Sequence, residues 1–109
     1  MALFLHDLRD PNIEQSIDAK ITRRDIITWQ RIPKLGYTHV THDHQWEHLA
    51  YIAFSASDRL TIRYNDDAIR NAKKNRRLVY AVYHGRFIEM LLEHFSEDFT
   101  WVSAERYRE

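Results

Sequence analysis

The stretch LVYAVYHGRFIEMLLEHF, residues 78–95, decides how the rest of this chain is read. Its first six residues, LVYAVY (78–83), are wholly apolar or aromatic and have the length of a strand buried on both faces. In YHGRF (83–87), Gly85 then permits a tight turn. Beyond it, Phe87, Leu91 and Phe95, with Ile88 and Leu92 beside them, recur at helical spacing and form a broad apolar face. The expected order is therefore a strand, a junction at YHGRF and a helix over 84–95, with Leu78, Val82, Phe87, Leu91 and Phe95 in the core. FTWVSAERY (99–107) closes the sheet as a last strand. The passage from 78 to 107 would then be a parallel, right-handed crossover if its two strands share a sheet.

Working outward, NDDAIRNAKKNRR (65–77) reads as a helix with Asn65 or Asp66 as cap, acids in its first turn and cations in its last. LAYIAFS (49–55) and RLTIRY (59–64) make a hairpin joined by the turn residues SASD. PKLG (33–36) is a turn by its Pro and Gly. DIITWQRI (25–32) has the β-branched and aromatic content of a strand, although Thr22 with Asp25 resembles a helix start. Ile13, Ile17 and Ile21 mark a helix capped by Asn12 or Asp10. Residues 1–11 read as an N-terminal arm that ends at Pro11. The class expected is α+β: one small domain over 1–109, with a mixed or antiparallel sheet of about four to five strands and helices packed on one face.

Composition narrows the functional classes. A chain of 109 residues, 44% hydrophobic and 13% aromatic, suits one domain with a core of its own. Without cysteine there are no disulfides, thiolate zinc sites or cysteine-held clusters. The start lacks a basic leader and a long apolar stretch, and no run nears the roughly 20 residues that span a bilayer. The expectation is a cytoplasmic protein with no membrane partner. Sixteen basic and sixteen acidic residues balance, which argues against a dedicated nucleic-acid binder but leaves room for local basic surfaces.

Three segments come closest to chemistry. HVTHDHQWEH (39–48) holds four of the seven histidines. His44 and His48 share a face on a strand or on a helix, and His42 joins them on a strand. HQWEH (44–48) also spells the inverted zinc-peptidase pattern with Glu47 as base, but 109 residues leave little room for a third ligand and a cleft. The segment reads as a solvated polar loop without a structural metal, with His42, His44 and His48 as the ligands to suspect first. Arg70, Lys73, Lys74 and Arg77 fall on one face of the helix expected at 66–77, with Arg63 nearby, a row that could follow a phosphate backbone. At the YHGRF junction, Arg86 could clamp an anion and His84 could shuttle a proton.

No phosphate loop, nucleophile elbow or dinucleotide fingerprint accompanies these residues, and no cofactor is expected. The leading expectation is a non-catalytic binding or regulatory protein that acts through a protein–protein surface, with a homodimer compatible with its size. A nucleic-acid-binding module using the 63–77 row and YHGRF is the first alternative. A small phosphodiesterase or ribonuclease centred on His84 and Arg86 is the second.

Overall fold

The computed structural model describes residues 2–56, 60–67 and 75–108. In chain order the elements are β1 (Ala2–His6), α1 (Ile13–Thr22), β2 (Trp29–Ile32), β3 (Gly36–His39), β4 (Tyr51–Phe54), β5 (Thr61–Asn65), α2 (Arg76–Phe95) and β6 (Trp101–Ala104). Among the described residues the six strands form one sheet in the order β2-β3-β4-β5-β1-β6, and every pairing is antiparallel. The class is α+β, as composition and patterning imply, but with six strands rather than four or five.

The largest correction falls on 78–95. LVYAVY is not a strand; it is the first half of the 20-residue α2. The helix begins at Asn75, whose side chain accepts a hydrogen bond from the Leu78 backbone N–H, as an N-cap does. The buried residues Val79, Tyr80, Tyr83, His84, Phe87, Met90, Leu91 and Phe95 recur every three or four positions without a break at Gly85. That stripe outweighs one helical glycine, which costs only about 1 kcal/mol relative to alanine. Phe87, Leu91 and Phe95 are core residues, but Leu78 is 52% exposed and Val82 half-buried. A strand would have put Leu78 and Val82 on the face with Tyr80; in a helix they rotate away from it. With no strand at 78–83, the crossover into β6 starts from β5 instead, and β6 pairs antiparallel with β1, which lies between them.

The second correction is at the N-terminus. The expected arm over 1–11 contains β1, inserted between β5 and β6, with Leu3 opposite both Ile62 and Ala104. The β1 backbone is paired on both sides by strands far away in sequence, and Leu3 and Leu5 are buried under the helices. Without the β2–β3 hairpin, the chain reads β-α-β-β-α-β with two interlocked split β-α-β units, a ferredoxin-like topology. The hairpin extends that sheet at the β4 edge.

Local expectations fared better. The helix stripe at 13–21 is α1, and Asp10 ties its entry: Oδ1 accepts from the Asn12 N–H at 2.8 Å and Oδ2 from the Ser16 hydroxyl at 3.0 Å. PKLG makes the β2–β3 turn, with Gly36 at φ 114° where an added Cβ would strike the Ile52 carbonyl. LAYIAFS and RLTIRY supply β4 and β5, registered Phe54 to Ile62 and Ile52 to Tyr64. The helix expected at 66–77 falls largely on 68–74, outside the described residues.

The core forms where Ile13 and Ile17 of α1 and the buried side of α2 meet Leu3, Leu5, Ile52 and Ile62. Trp29 and Tyr37 join it from the hairpin, each with its ring against Phe87. A polar network at the rim binds hairpin to helix: the buried Tyr37 hydroxyl donates to Asp18 at 2.6 Å, and Arg31 bridges Glu14 at 2.7 Å and Tyr37 at 3.1 Å. Burial and the Asp18 carboxylate hold the Tyr37 hydroxyl far above its ordinary range, so it stays protonated and donating.

Candidate functional site

The histidine segment 39–48 is a loop, but a tethered one. Four groups form a chain of hydrogen bonds across it. The His48 backbone N–H donates to Thr38 Oγ1 at 2.9 Å, the Thr38 hydroxyl lies 3.0 Å from the Tyr83 hydroxyl, and Tyr83 donates to the Trp46 carbonyl. Since the Tyr83 proton goes to Trp46, Thr38 is the donor to Tyr83. The loop is thus fastened to β3 and α2 through buried groups. Its histidines point to separate partners: His44 Nδ1–H donates to Glu47 at 2.6 Å, while His48 Nδ1 shares a bond with the Tyr51 hydroxyl at 3.1 Å. His42 and His44 are exposed. The residues 44–48 adopt bends and turns with His44 and His48 at positive φ, not the helix the peptidase pattern needs. Among the described residues no three His, Cys, Asp or Glu side chains converge to hold a metal.

The basic row lies mostly outside the described residues. Arg63 is exposed on β5, Arg70, Lys73 and Lys74 lie outside the described residues, and Arg77 is exposed in the first turn of α2 rather than in the last turn of an earlier helix. YHGRF is not a strand-to-helix junction. It lies within α2, where the backbone N–H groups belong to the helix and are not free to bind an anion. His84 turns inward and is 4% exposed. Its Nδ1–H donates to the Tyr80 carbonyl at 2.9 Å, and Nε2 has no hydrogen-bond partner among the described residues. Burial lowers its pKa to about 4, so it is neutral near pH 7. Arg86 turns outward and pairs with Glu89 at 3.0 Å. Two residues apart on a helix, His84 and Arg86 diverge by roughly 200° and do not face one ligand.

The fold instead brings Arg86 and Glu89 to His39, at the end of β3. These three, with Thr28 and Thr41, line a cleft of about 160 Å³. His39 donates from Nδ1–H to the Thr28 carbonyl at 2.9 Å, and burial lowers its pKa, leaving a neutral imidazole. The space suits a few waters or a small ion and falls short of the roughly 300 Å³ at which ligand pockets begin. A cleft of about 370 Å³ between the start of α1 and the end of β4 reaches that size. Its one acidic or basic side chain, Glu14, is engaged by Arg31.

The most extensive uncovered feature is the sheet face turned away from the helices. Strand alternation sends Leu3, Leu5, Ile52 and Ile62 to the core, so Phe4, His6, Tyr51, Ala53, Thr61, Arg63, Trp101 and Ser103 belong to the opposite face. Register aligns Thr61, Phe4 and Ser103 across three strands, and Ala53 and Arg63 across two. His6 and Trp101 stack with ring centroids 3.5 Å apart and planes 3° from parallel, and His6 Nε2 meets the Ser103 hydroxyl at 3.0 Å. Trp101 remains 53% exposed. Sequence reasoning missed this face because it took 1–11 as an arm. The period-two pattern of ALFLH, with Phe4 and His6 alternating with Leu3 and Leu5, was the available signal.

Among the described residues no helix is long and apolar enough to cross a membrane. No family model, no curated protein and no solved structure matches this chain.

Proposed function

We propose that this protein is a non-catalytic binding or regulatory protein that acts on another protein through the uncovered face of its sheet. The observation that carries the reading is the partly exposed, half-apolar surface built by the half-buried Phe4, Tyr51 and Ala53 and the His6–Trp101 stack, whose Trp101 is exposed. Aromatic side chains with a polar tip, held rigid by a sheet, are the residues that supply most contact energy at protein interfaces. The surface has one cation among its described residues, Arg63, so it suits a partner of mixed rather than strongly acidic character. Replacing Trp101 with a photo-crosslinking side chain tests this in cells. One defined polypeptide should be captured, and the same group at Lys34, on the β2–β3 turn, should not capture it. Equal capture at both positions, or none at Trp101, would remove the proposal.

A second reading has one observation in its favour. A coplanar His6–Trp101 stack also suits an unpaired base, since single strands bind by stacking on aromatic rings near cations, and the same sheet face carries Arg63 at the other end of β1. The Trp101 fluorescence should then change on titration with single-stranded oligonucleotides, and affinity should fall with salt. The phosphodiesterase reading has less support, because it rests on His84 and Arg86, which point apart.

A further inference from the structure

The outward side of α2 is more apolar than a solvated helix face. Leu78, Ala81, Val82, Gly85 and Leu92 fall within about 60° of one line along the helix, on the side away from the core, with Ile88 at the edge of the stripe and half-buried against the core. Leu78 and Leu92 are 52% and 53% exposed. The stripe is symmetric about Gly85, with the leucines seven residues to either side and Val82 and Ile88 three to either side. Gly85 itself has no internal reason to be glycine: its φ is helical, and an added Cβ would meet nothing within 4 Å. A glycine there weakens the isolated helix relative to alanine. What it provides is a shallow depression, bounded by Ala81, Val82, Arg86 and Glu89, where another backbone can approach closely.

We propose that this face is a homodimer interface in which the α2 helices of two copies cross antiparallel at Gly85, seating Leu78 of each on Leu92 of the other. A two-fold interface must be self-complementary, and a stripe symmetric about its midpoint satisfies that requirement when two copies cross antiparallel at Gly85. The charges match in the same sense. The N-terminal turn of α2 carries the exposed Arg77 and no acid, whereas its C-terminal half carries the exposed Glu93, eight residues to the other side of Gly85; Arg76 and Glu89 are already engaged, by Asp66 and Arg86. Antiparallel pairing lays the basic end of one helix beside the acidic end of the other and opposes their dipoles. Parallel pairing would set like ends together. The interface lies on the side of the molecule away from the uncovered sheet face, so it stands or falls independently of the binding proposal.

Sedimentation of the full chain over a range of concentrations should show a monomer–dimer equilibrium. Leu92→Glu, at an exposed position, should weaken it by about tenfold or more while leaving the circular dichroism spectrum unchanged; Leu78→Glu should do the same. Because the chain has no cysteine, the register can be read by oxidation. Leu78→Cys and Leu92→Cys chains should cross-link when mixed, and neither should cross-link efficiently alone. A monomer at every concentration, a dimer indifferent to both Glu variants, or efficient cross-linking of Leu78→Cys with itself would each overturn the proposal.

Discussion

The two faces of the sheet are built from the same strands and have opposite fates. On one, Leu3, Leu5, Ile52 and Ile62 disappear under α1 and α2. On the other, one residue to one side or the other along each strand, Phe4, Thr61, Ala53 and Trp101 are left partly or largely exposed. The difference does not lie in hydrophobicity alone, since Phe4 and Trp101 are as apolar as the residues they alternate with. It lies in where the connections run. Both split β-α-β units return over the same face, as right-handed crossovers from one twisted sheet require. One face therefore becomes core and its neighbour a surface that water or a partner must cover.

The sharpest way to break this contrast is to open the covered face. Phe87 is fully buried, with its ring against Trp29 and Tyr37, and Phe87→Ala should cost about 3–5 kcal/mol in urea unfolding. A loss near that of an ordinary surface change would mean that α2 does not cover this face.

Acid should attack the same face from within. His84 has a folded pKa of about 4 against an ordinary value of 6.5, so the unfolded chain binds its proton first. The stability it contributes is complete above about pH 6.5 and is lost as the pH falls towards 4. On the order of 3 kcal/mol is involved, at about 1.4 kcal/mol for each tenfold change in proton affinity. His39, lowered in the same direction, adds to the fall. Melting temperatures of wild type and His84→Leu between pH 7 and 4 should diverge in slope, with the variant shallower; parallel curves would mean that His84 titrates freely.

Tyr37→Phe probes the rim of the covered face. It removes the donor to Asp18 while leaving the ring in place, and should cost about 1–2 kcal/mol in denaturant unfolding. The smallest effect belongs to the other face. Trp101→Ala should change stability by less than about 1 kcal/mol, the value of one aromatic stack, while abolishing capture of the partner by a cross-linking side chain placed at Arg63, exposed on the same face. A large loss of stability there would mean that the uncovered face is part of the core.

How much of this was legible depends on how far each pattern reaches along the chain. Ile13, Ile17 and Ile21 mark α1, and YIAF and TIRYN mark β4 and β5, because a helix turn or hairpin is decided by residues close in sequence. β1 was not legible as a strand: its partners are Ile62 and Ala104, and nothing near Leu3 announces them. LVYAVY was misread because a six-residue apolar run suits either a buried strand or a buried helix turn. Only extending its period across Gly85 to Phe95 distinguishes the two. The site suffered from the same limit. YHGRF seemed to aim His84 and Arg86 together from a junction, yet a helix turns them apart, while His39 meets Arg86 and Glu89 across 47 residues of chain.

By itself, then, the sequence determined the α+β class, the cysteine-free chemistry, the positions of α1, β4, β5 and β6, and the turn at Pro33–Gly36. These follow from side-chain periodicity and backbone preference, which act over a few residues. Tertiary structure alone decided that β1 lies between β5 and β6 and that both helices return over the same sheet face. Each of these rests on burying apolar area between segments distant in the chain, an energy that no local pattern records. The same long-range choice leaves the His6–Trp101 stack and the outward stripe of α2 at the surface.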